Sequence, residues 1–553
     1  MRKLILTAFA VIVCGSAAFA DTRSPKDAIN RNLQIFSTIY KELQTSYVDS
    51  IDADKTMRTA IDALLNTIDP YTEYIPEEDR DEFMTISTGE FGGIGAYLGQ
   101  LKNGDVYISQ PQDGTPAKLS GLRAGDVVAV VDGDTVLGVG VEKVRERLRG
   151  KAGTSVKVTV KRPYVGADSI VSVDITRSII KVDPVPYYGV VRGDVGYIAL
   201  TTFNEKSYGQ VREALEKLTA DPRVKSIALD LRGNTGGLLE SAVQIVGLFV
   251  PKGSEVLRTR GKGTIEEKVY KTTVKPVDTD VPLVVMIDGN SASASEITAG
   301  ALQDLDRAVI VGNRSYGKGL VQSTRSLPCH GLLKVTIAKY YIPSGRLIQA
   351  IDYSHRNPDG SVDRIPDSLT HLFHTMGGRE VRDGAGITPD IKVEYPDINR
   401  LVYNIVSDNW AFDYGTQFAA KHDTIAPISE FVITDEIYDD FKKFVDPEKF
   451  NYDKVFEKMI EALETAAKTE GYLTDSVQTQ LDGLKLMLRH DLNRDLDQNR
   501  ENISRYLERE IITRYYGDKG AVELAVKNDV AMDSVVKLFE KPGEYQSILS
   551  PKK

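Results

Sequence analysis

The chain is 553 residues long, which at roughly 150 residues per domain allows about three to four domains. It sets 69 Lys and Arg against 79 Asp and Glu, a formal charge of -10 that argues against general nucleic-acid binding. Its two cysteines, Cys14 and Cys329, exclude a disulfide framework and a thiolate-rich zinc or iron–sulfur site.

Residues 1–20 read as a secretory signal. Arg2 and Lys3 give the positive start, Leu4 to Val13 a short apolar core, and Ala18-Phe19-Ala20 the small residues of a cleavage site. Such a leader addresses the protein to the periplasm or the cell envelope. The apolar stretch is short for a membrane anchor. Bulky Val13 argues against a lipid anchor on Cys14. After cleavage Cys329 stands alone, so stability must come from packed cores.

Residues 21–84 are predicted helical. Ile35, Ile39 and Leu43, then Met57, Ala60, Ile61, Leu64 and Leu65, recur at helical spacing, and Asp69-Pro70 ends the region. Residues 85–178 then change character. The Gly-rich run Gly89 to Gly95 precedes short strand-like pieces at Val106 to Ser109, Val127 to Val131 and Ser155 to Lys161, with one helix, Val141 to Leu148. This is a small, mainly β module.

Over 179–395 strands and helices alternate. Val195 to Leu200, Ser226 to Leu231, Val281 to Ile287, Ala308 to Val311 and Leu332 to Ile342 read as strands. Tyr208 to Leu218, Leu238 to Val250 and Ser295 to Leu305 read as helices. Continuous apolar strands between helices imply a largely parallel sheet covered on its faces. Residues 396–553 are charged and helical in spacing. Asp491, Asn493 and Asp495 imitate the start of a calcium loop, but Leu496 stands where Gly is required and Asn502 where a bidentate Glu is required, so they read as a solvated helix face.

The stretch Ser291-Ala292-Ser293-Ala294-Ser295-Glu296 joins a strand to a helix. Such a turn exposes a side chain at the sheet's carboxyl edge and aims free N–H groups and the helix dipole at one point, as a nucleophilic serine needs for its oxyanion. Ser293 and Glu296 also fit a plain capping box. None of His330, His355, His371, His374, His422 and His490 falls in a strand-end motif that pairs with this turn. The candidate base is Lys318, in Gly317-Lys318-Gly319, whose glycines permit a tight approach. A lysine serves only if its ammonium is disfavoured. Lowering its pKa from about 10.4 to about 7–8 costs roughly 3–4 kcal/mol, which burial can impose. Gln322 could accept from the amine and orient it. Gly312 to Gly319 also approaches a phosphate-binding loop, but Gly319 stands where Ser or Thr would hold magnesium.

Together these segments resemble the C-terminal processing peptidases, or tail-specific proteases, which are serine endopeptidases with a Ser–Lys dyad and a PDZ domain. The resemblance runs from about residue 30 to 395. It rests on Phe91-Gly92-Gly93-Ile94-Gly95, Gly121 to Asp126, Leu231-Arg232-Gly233-Asn234-Thr235-Gly236-Gly237, Ser293 to Glu296, Gly317 to Gly319 and Gly386 to Asp390. It implies a crotonase-like α/β protease core carrying a PDZ domain, with helical N- and C-terminal regions. It further implies Ser293 as nucleophile, Lys318 as base, Gln322 as its partner, and an oxyanion hole from Ala294 N–H with Gly236 or Gly237. Thr235 replaces the family's usual Pro, which leaves the choice between those glycines open. No metal or cofactor is expected, and neither nucleotide nor nucleic acid as partner. A PDZ module binds a peptide C-terminus as an added strand. Phe91, Gly92, Gly93, Ile94 and Gly95 are the expected carboxylate loop, with Val144 and Leu148 lining the groove. Substrates would be proteins or peptides with accessible, apolar C-termini. A homodimer and an activating partner protein are further partners the sequence admits. The rival function is a catalytically idle PDZ scaffold that holds protein tails.

Overall fold

The computed structural model describes residues 25–164, 169–263, 267–450, 455–488 and 491–550. The leader expected over residues 1–20 lies outside them. The chain divides into two compact units, Met1–Tyr74 and Ile75–Lys553. The first contains the helices Pro25–Ser46 and Ala53–Asn66. Asp52 caps the second by accepting the Lys55 N–H, and Tyr40 donates to Ala53 O across the connection. Among the described residues no helix is long and apolar enough to cross a membrane.

In the second unit a sheet runs in the order Tyr187–Val191, Val195–Ala199, Ser226–Asp230, Leu283–Ile287, Val309–Gly312 and Ile391–Lys392. Its first pair is antiparallel and the rest are parallel, as continuous apolar strands require. Ile198, Leu229, Val285 and Ile310 face the helices Ser207–Ala220, Leu239–Val246 and Ala294–Asp304. Tyr197, Ala228, Val284 and Val309 face the other way, onto Val535, Leu538, Tyr545 and Leu549. Tyr545 both accepts from Leu283 N and donates to Leu283 O. The last two helices, Val530–Phe539 and Pro542–Leu549, therefore cover the sheet's second face rather than forming a separate tail. Each wholly buried aliphatic side chain here contributes about 1.5–3 kcal/mol.

The PDZ module is an antiparallel sheet in the order Ala96–Gln100, Val106–Pro111, Val127–Val131, Ser155–Arg162 and Ser169–Thr176. Of the expected tail-binding residues, Phe91 to Gly93 lie in Glu90–Gly93, which pairs with Ser178–Lys181, Phe91 opposite Ile180, so the module enters and leaves on one two-stranded ribbon. Ile94 and Gly95 link that strand to Ala96–Gln100, and Val144 and Leu148 lie on the helix Val141–Leu148. These last two are 0% and 4% exposed and pack with Ile94, Val128 and Val158. The helix Val141–Leu148 carries one narrow apolar stripe, and the sheet takes it. Gly95 keeps a left-handed backbone, and a Cβ there would meet Thr115 at 2.4 Å.

The helical region grips this module. The Tyr107 ring lies 5.0 Å from that of Phe412, Lys102 pairs with Asp408 at 2.6 Å, and Gln110 Nε2 donates to Thr513 O at 3.3 Å. The long helix Arg500–Lys527 is broken at Gly517, φ 62° and ψ -161°. Asp113 Oδ2 of the PDZ module lies 2.5 Å from where a Cβ at 517 would be. Asp491, read from sequence on a helix face, caps the helix Leu492–Gln498 by accepting the Arg494 N–H.

Candidate active site

The strand Leu283–Ile287 delivers the chain into the turn that ends at Ser293, and the helix Ala294–Asp304 leads away from it. Ser293 has φ 55° and ψ -112°, a conformation that costs a side-chain-bearing residue about 1–3 kcal/mol. Of the three serines in the turn, Ser291 and Ser295 are wholly buried and tied to main chain. Ser291 Oγ donates to Leu231 O and Ser295 Oγ to Asn234 O, each at 2.8 Å. Ser293 alone of the three is partly exposed.

Glu296 is 0% exposed and is the hub of the site. Its Oε2 accepts Ser293 N–H at 2.9 Å and Lys318 N–H at 2.8 Å. Its Oε1 accepts Gly317 N–H at 2.7 Å and Ser315 Oγ–H at 2.5 Å. Burial pushes its carboxyl above the ordinary range, against the pull of these donors. The lysine loop thus sits on the serine turn through one carboxylate. Gly319 N–H is likewise taken, by Gln349 Oε1 at 2.7 Å. With these three amides occupied, the loop cannot cradle a phosphate.

Lys318 is half-buried. Gln322 follows on the strand Leu320–Ser326, one residue past a register shift against Leu332–Tyr341, and its amide donates to Thr336 Oγ1 at 3.1 Å. In this form Gln322 is therefore tied across its hairpin.

The glycine turn is held by Asn234, which is 0% exposed. Its Nδ2 donates to Leu200 O at 2.8 Å, its Oδ1 accepts Gly236 N–H at 2.9 Å, and its carbonyl accepts Ala292 N–H at 3.1 Å. Gly236 is thereby spent as a donor. Among the described residues neither Gly237 N–H nor Ala294 N–H has an acceptor. A Cβ on Gly236 would lie 2.9 Å from both Ala294 N and Ser293 Cβ, so the two turns are in contact. The exposed Thr235 adds nothing to this stiffness. Arg232, in the same turn, pairs with Asp230 and with Asp529 of the C-terminal region.

The sequence pointed to Ser293, Lys318 and the glycine turn as candidates, and it read Glu296 only as a cap. It missed what Asn234, Gln349 and Tyr340 do, because each acts across the fold.

A strained, accessible serine at a helix N-terminus against a glycine turn, with a lysine loop latched beside it and a PDZ module on the same chain, defines a PDZ-bearing serine hydrolase. Residues 194–360 match peptidase family S41, residues 84–161 the PDZ domain, and residues 401–539 the C-terminal helical domain of a probable PDZ-protease. Over 390 residues the chain is 35% identical to the carboxy-terminal-processing protease of Bartonella bacilliformis, covering 69% of this chain and 88% of that one. Over 392 residues it is 32% identical to a probable CtpA-like serine protease of Staphylococcus aureus, covering 70% and 76%. A photosystem II D1 C-terminal processing protease structure aligns at 24% identity and a TM-score of 0.35, over 65% of this chain and 92% of that one. The chain belongs to peptidase family S41, among the carboxy-terminal-processing proteases, and is a serine endopeptidase.

Proposed function

We propose that this protein hydrolyses polypeptides near their C-termini with Ser293 as nucleophile and Lys318 as general base. Uncharged Lys318 takes the Ser293 proton as Oγ attacks the peptide carbonyl carbon. Ala294 N–H and Gly237 N–H receive the oxyanion. The C–N bond then breaks, and Lys318 returns its proton to the leaving amine. Water, deprotonated by Lys318, attacks the acyl-enzyme, releases the carboxyl product and restores Ser293. Gln322 turns from Thr336 toward the amine when substrate engages.

The observation that carries this reading is the shared acceptor: Ser293 N–H and Lys318 N–H both end on Glu296 Oε2. No capping role alone would draw a lysine loop onto a serine turn. Gly237 is chosen over Gly236 because Asn234 occupies the Gly236 amide.

Substrate tails are taken as an added strand on Ala96–Gln100, which lies at the edge of its sheet and so keeps one side for pairing. The leader over residues 1–20 directs the enzyme to the cell envelope, where exported chains with free C-termini are its substrates.

The test is cleavage of an unstructured reporter ending in apolar residues. Wild type cleaves it, and Ser293→Ala and Lys318→Ala each lose at least about a thousandfold in kcat. Equal cleavage by all three would overturn the dyad. Binding of tail peptides without any cleavage would establish the idle scaffold instead. Amidating the reporter's C-terminus raises KM; an unchanged KM would overturn tail recognition.

A further inference from the structure

Glu296 holds the N–H side of the Ser293 and Lys318 peptide units, and a second group holds their carbonyl side. The Tyr340 hydroxyl oxygen lies 2.7 Å from Lys318 O and 3.3 Å from Ser293 O. Tyr340 is the penultimate residue of the long strand Leu332–Tyr341, is 1% exposed, and donates its own N–H to Gly319 O at 3.0 Å. It therefore approaches the lysine loop through both main chain and side chain. One O–H cannot donate fully to two carbonyls. The 2.7 Å contact takes the proton, and the 3.3 Å contact is the longer arm of a shared bond.

We propose that the Tyr340 hydroxyl is a positioning residue for the hydrolytic reaction, locking the main chain of Lys318 to that of Ser293 so that amine and hydroxyl meet at a fixed separation. This rests on the dyad reading above. The argument is geometric. Ser293 and Lys318 sit on separate elements, and a pair of loops joined on one side only can still pivot about that join. Bonds on both the N–H and the C=O sides remove the pivot. Rigid spacing matters because a misplacement of about 1 Å can cost roughly a hundredfold in rate. The phenol touches main chain, not substrate, so its effect should fall on turnover and not on binding.

Tyr340→Phe keeps the buried ring and deletes one oxygen. The expected result is a kcat on the unstructured reporter lowered at least about tenfold, with KM within about twofold of wild type. Labelling of Ser293 by a fluorophosphonate should slow in proportion, and the variant should stay folded at the assay temperature, its melting temperature lowered only by the loss of one buried hydrogen bond. Incorporation of 3-fluorotyrosine at position 340 keeps the hydroxyl, and it should restore kcat to within about threefold. A wild-type kcat in Tyr340→Phe, a loss confined to KM, a loss accounted for by unfolded protein, or failure of 3-fluorotyrosine to restore turnover would each overturn the proposal. Ser293→Ala and Lys318→Ala run alongside separate the two readings. Cleavage by either sinks the dyad, whereas their inactivity beside a fully active Tyr340→Phe sinks only the role given to Tyr340.

Discussion

Asn234 Oδ1 takes the Gly236 N–H at 2.9 Å, and among the described residues the next amide, Gly237, is left without an acceptor. A side chain thus does the stiffening that a proline ring would otherwise do. Asn234→Ala should lower kcat about tenfold or more with little change in KM. It should also lower stability by about 1–3 kcal/mol, since Gly236 N–H and Leu200 O lose a buried partner. Steady-state kinetics with a denaturant titration checks both, and an unchanged kcat would refute the assignment of Gly237.

Glu296→Gln is nearly isosteric and still disruptive. Each carboxylate oxygen accepts two donors, so either amide orientation sets an NH2 group against two of them. We expect kcat to fall at least about a hundredfold and the melting temperature to drop, because donors buried without an acceptor cost about 1–3 kcal/mol each. A variant with more than half the wild-type turnover would show that the bracket is dispensable.

The contact between the PDZ module and the helical region carries a pH signature. Burial pushes the Asp413 carboxyl up to about 6, from an ordinary 3.8, with Arg514 pulling it down less strongly and Tyr107 and Tyr164 close by. The fold therefore binds this proton more tightly than the unfolded chain does. Its contribution is intact below about pH 4 and is lost as pH rises through about 6. Asp413→Asn should be more stable than wild type by about 1–2 kcal/mol at pH 7.5, after allowance for partial solvent screening, and equal to it near pH 4. Urea titrations at several pH values test this; a gap independent of pH would contradict it.

Gly517 breaks the helix Arg500–Lys527 where the PDZ loop bearing Asp113 arrives. Gly517→Ala places a methyl against that carboxylate and forces a left-handed backbone on alanine. Amide exchange should quicken in Ala96–Gln100 and Val106–Pro111, while the sheet under Ser293 keeps its protection. Unchanged exchange in the module would mean that the kink does not serve this contact.

Much of the core was legible because buried parallel strands announce themselves. Leu283 to Ile287 and Val309 to Gly312 are unbroken apolar runs, and they pair as neighbours. The strand Leu320–Ser326 was not, since its exposed end, Thr324 to Ser326, carries no apolar alternation. The serine turn and the glycine-flanked Lys318 could be picked out from turn position and glycine context, while the choice of Ser293 within that turn rested on the family resemblance. What joins them could not, because the donors to Glu296 lie up to 22 residues away and become neighbours only when two strands pair.

The carboxylate of Glu296 has one more implication, for how such an enzyme is made. A polypeptide that cuts polypeptides is a hazard to its own unfinished copies. Here the serine turn and the lysine loop acquire their places from a single buried carboxyl group, so neither is fully set before the other. Under the proposed dyad, a copy stalled short of residue 318 lacks both the base and the latch that holds the serine turn.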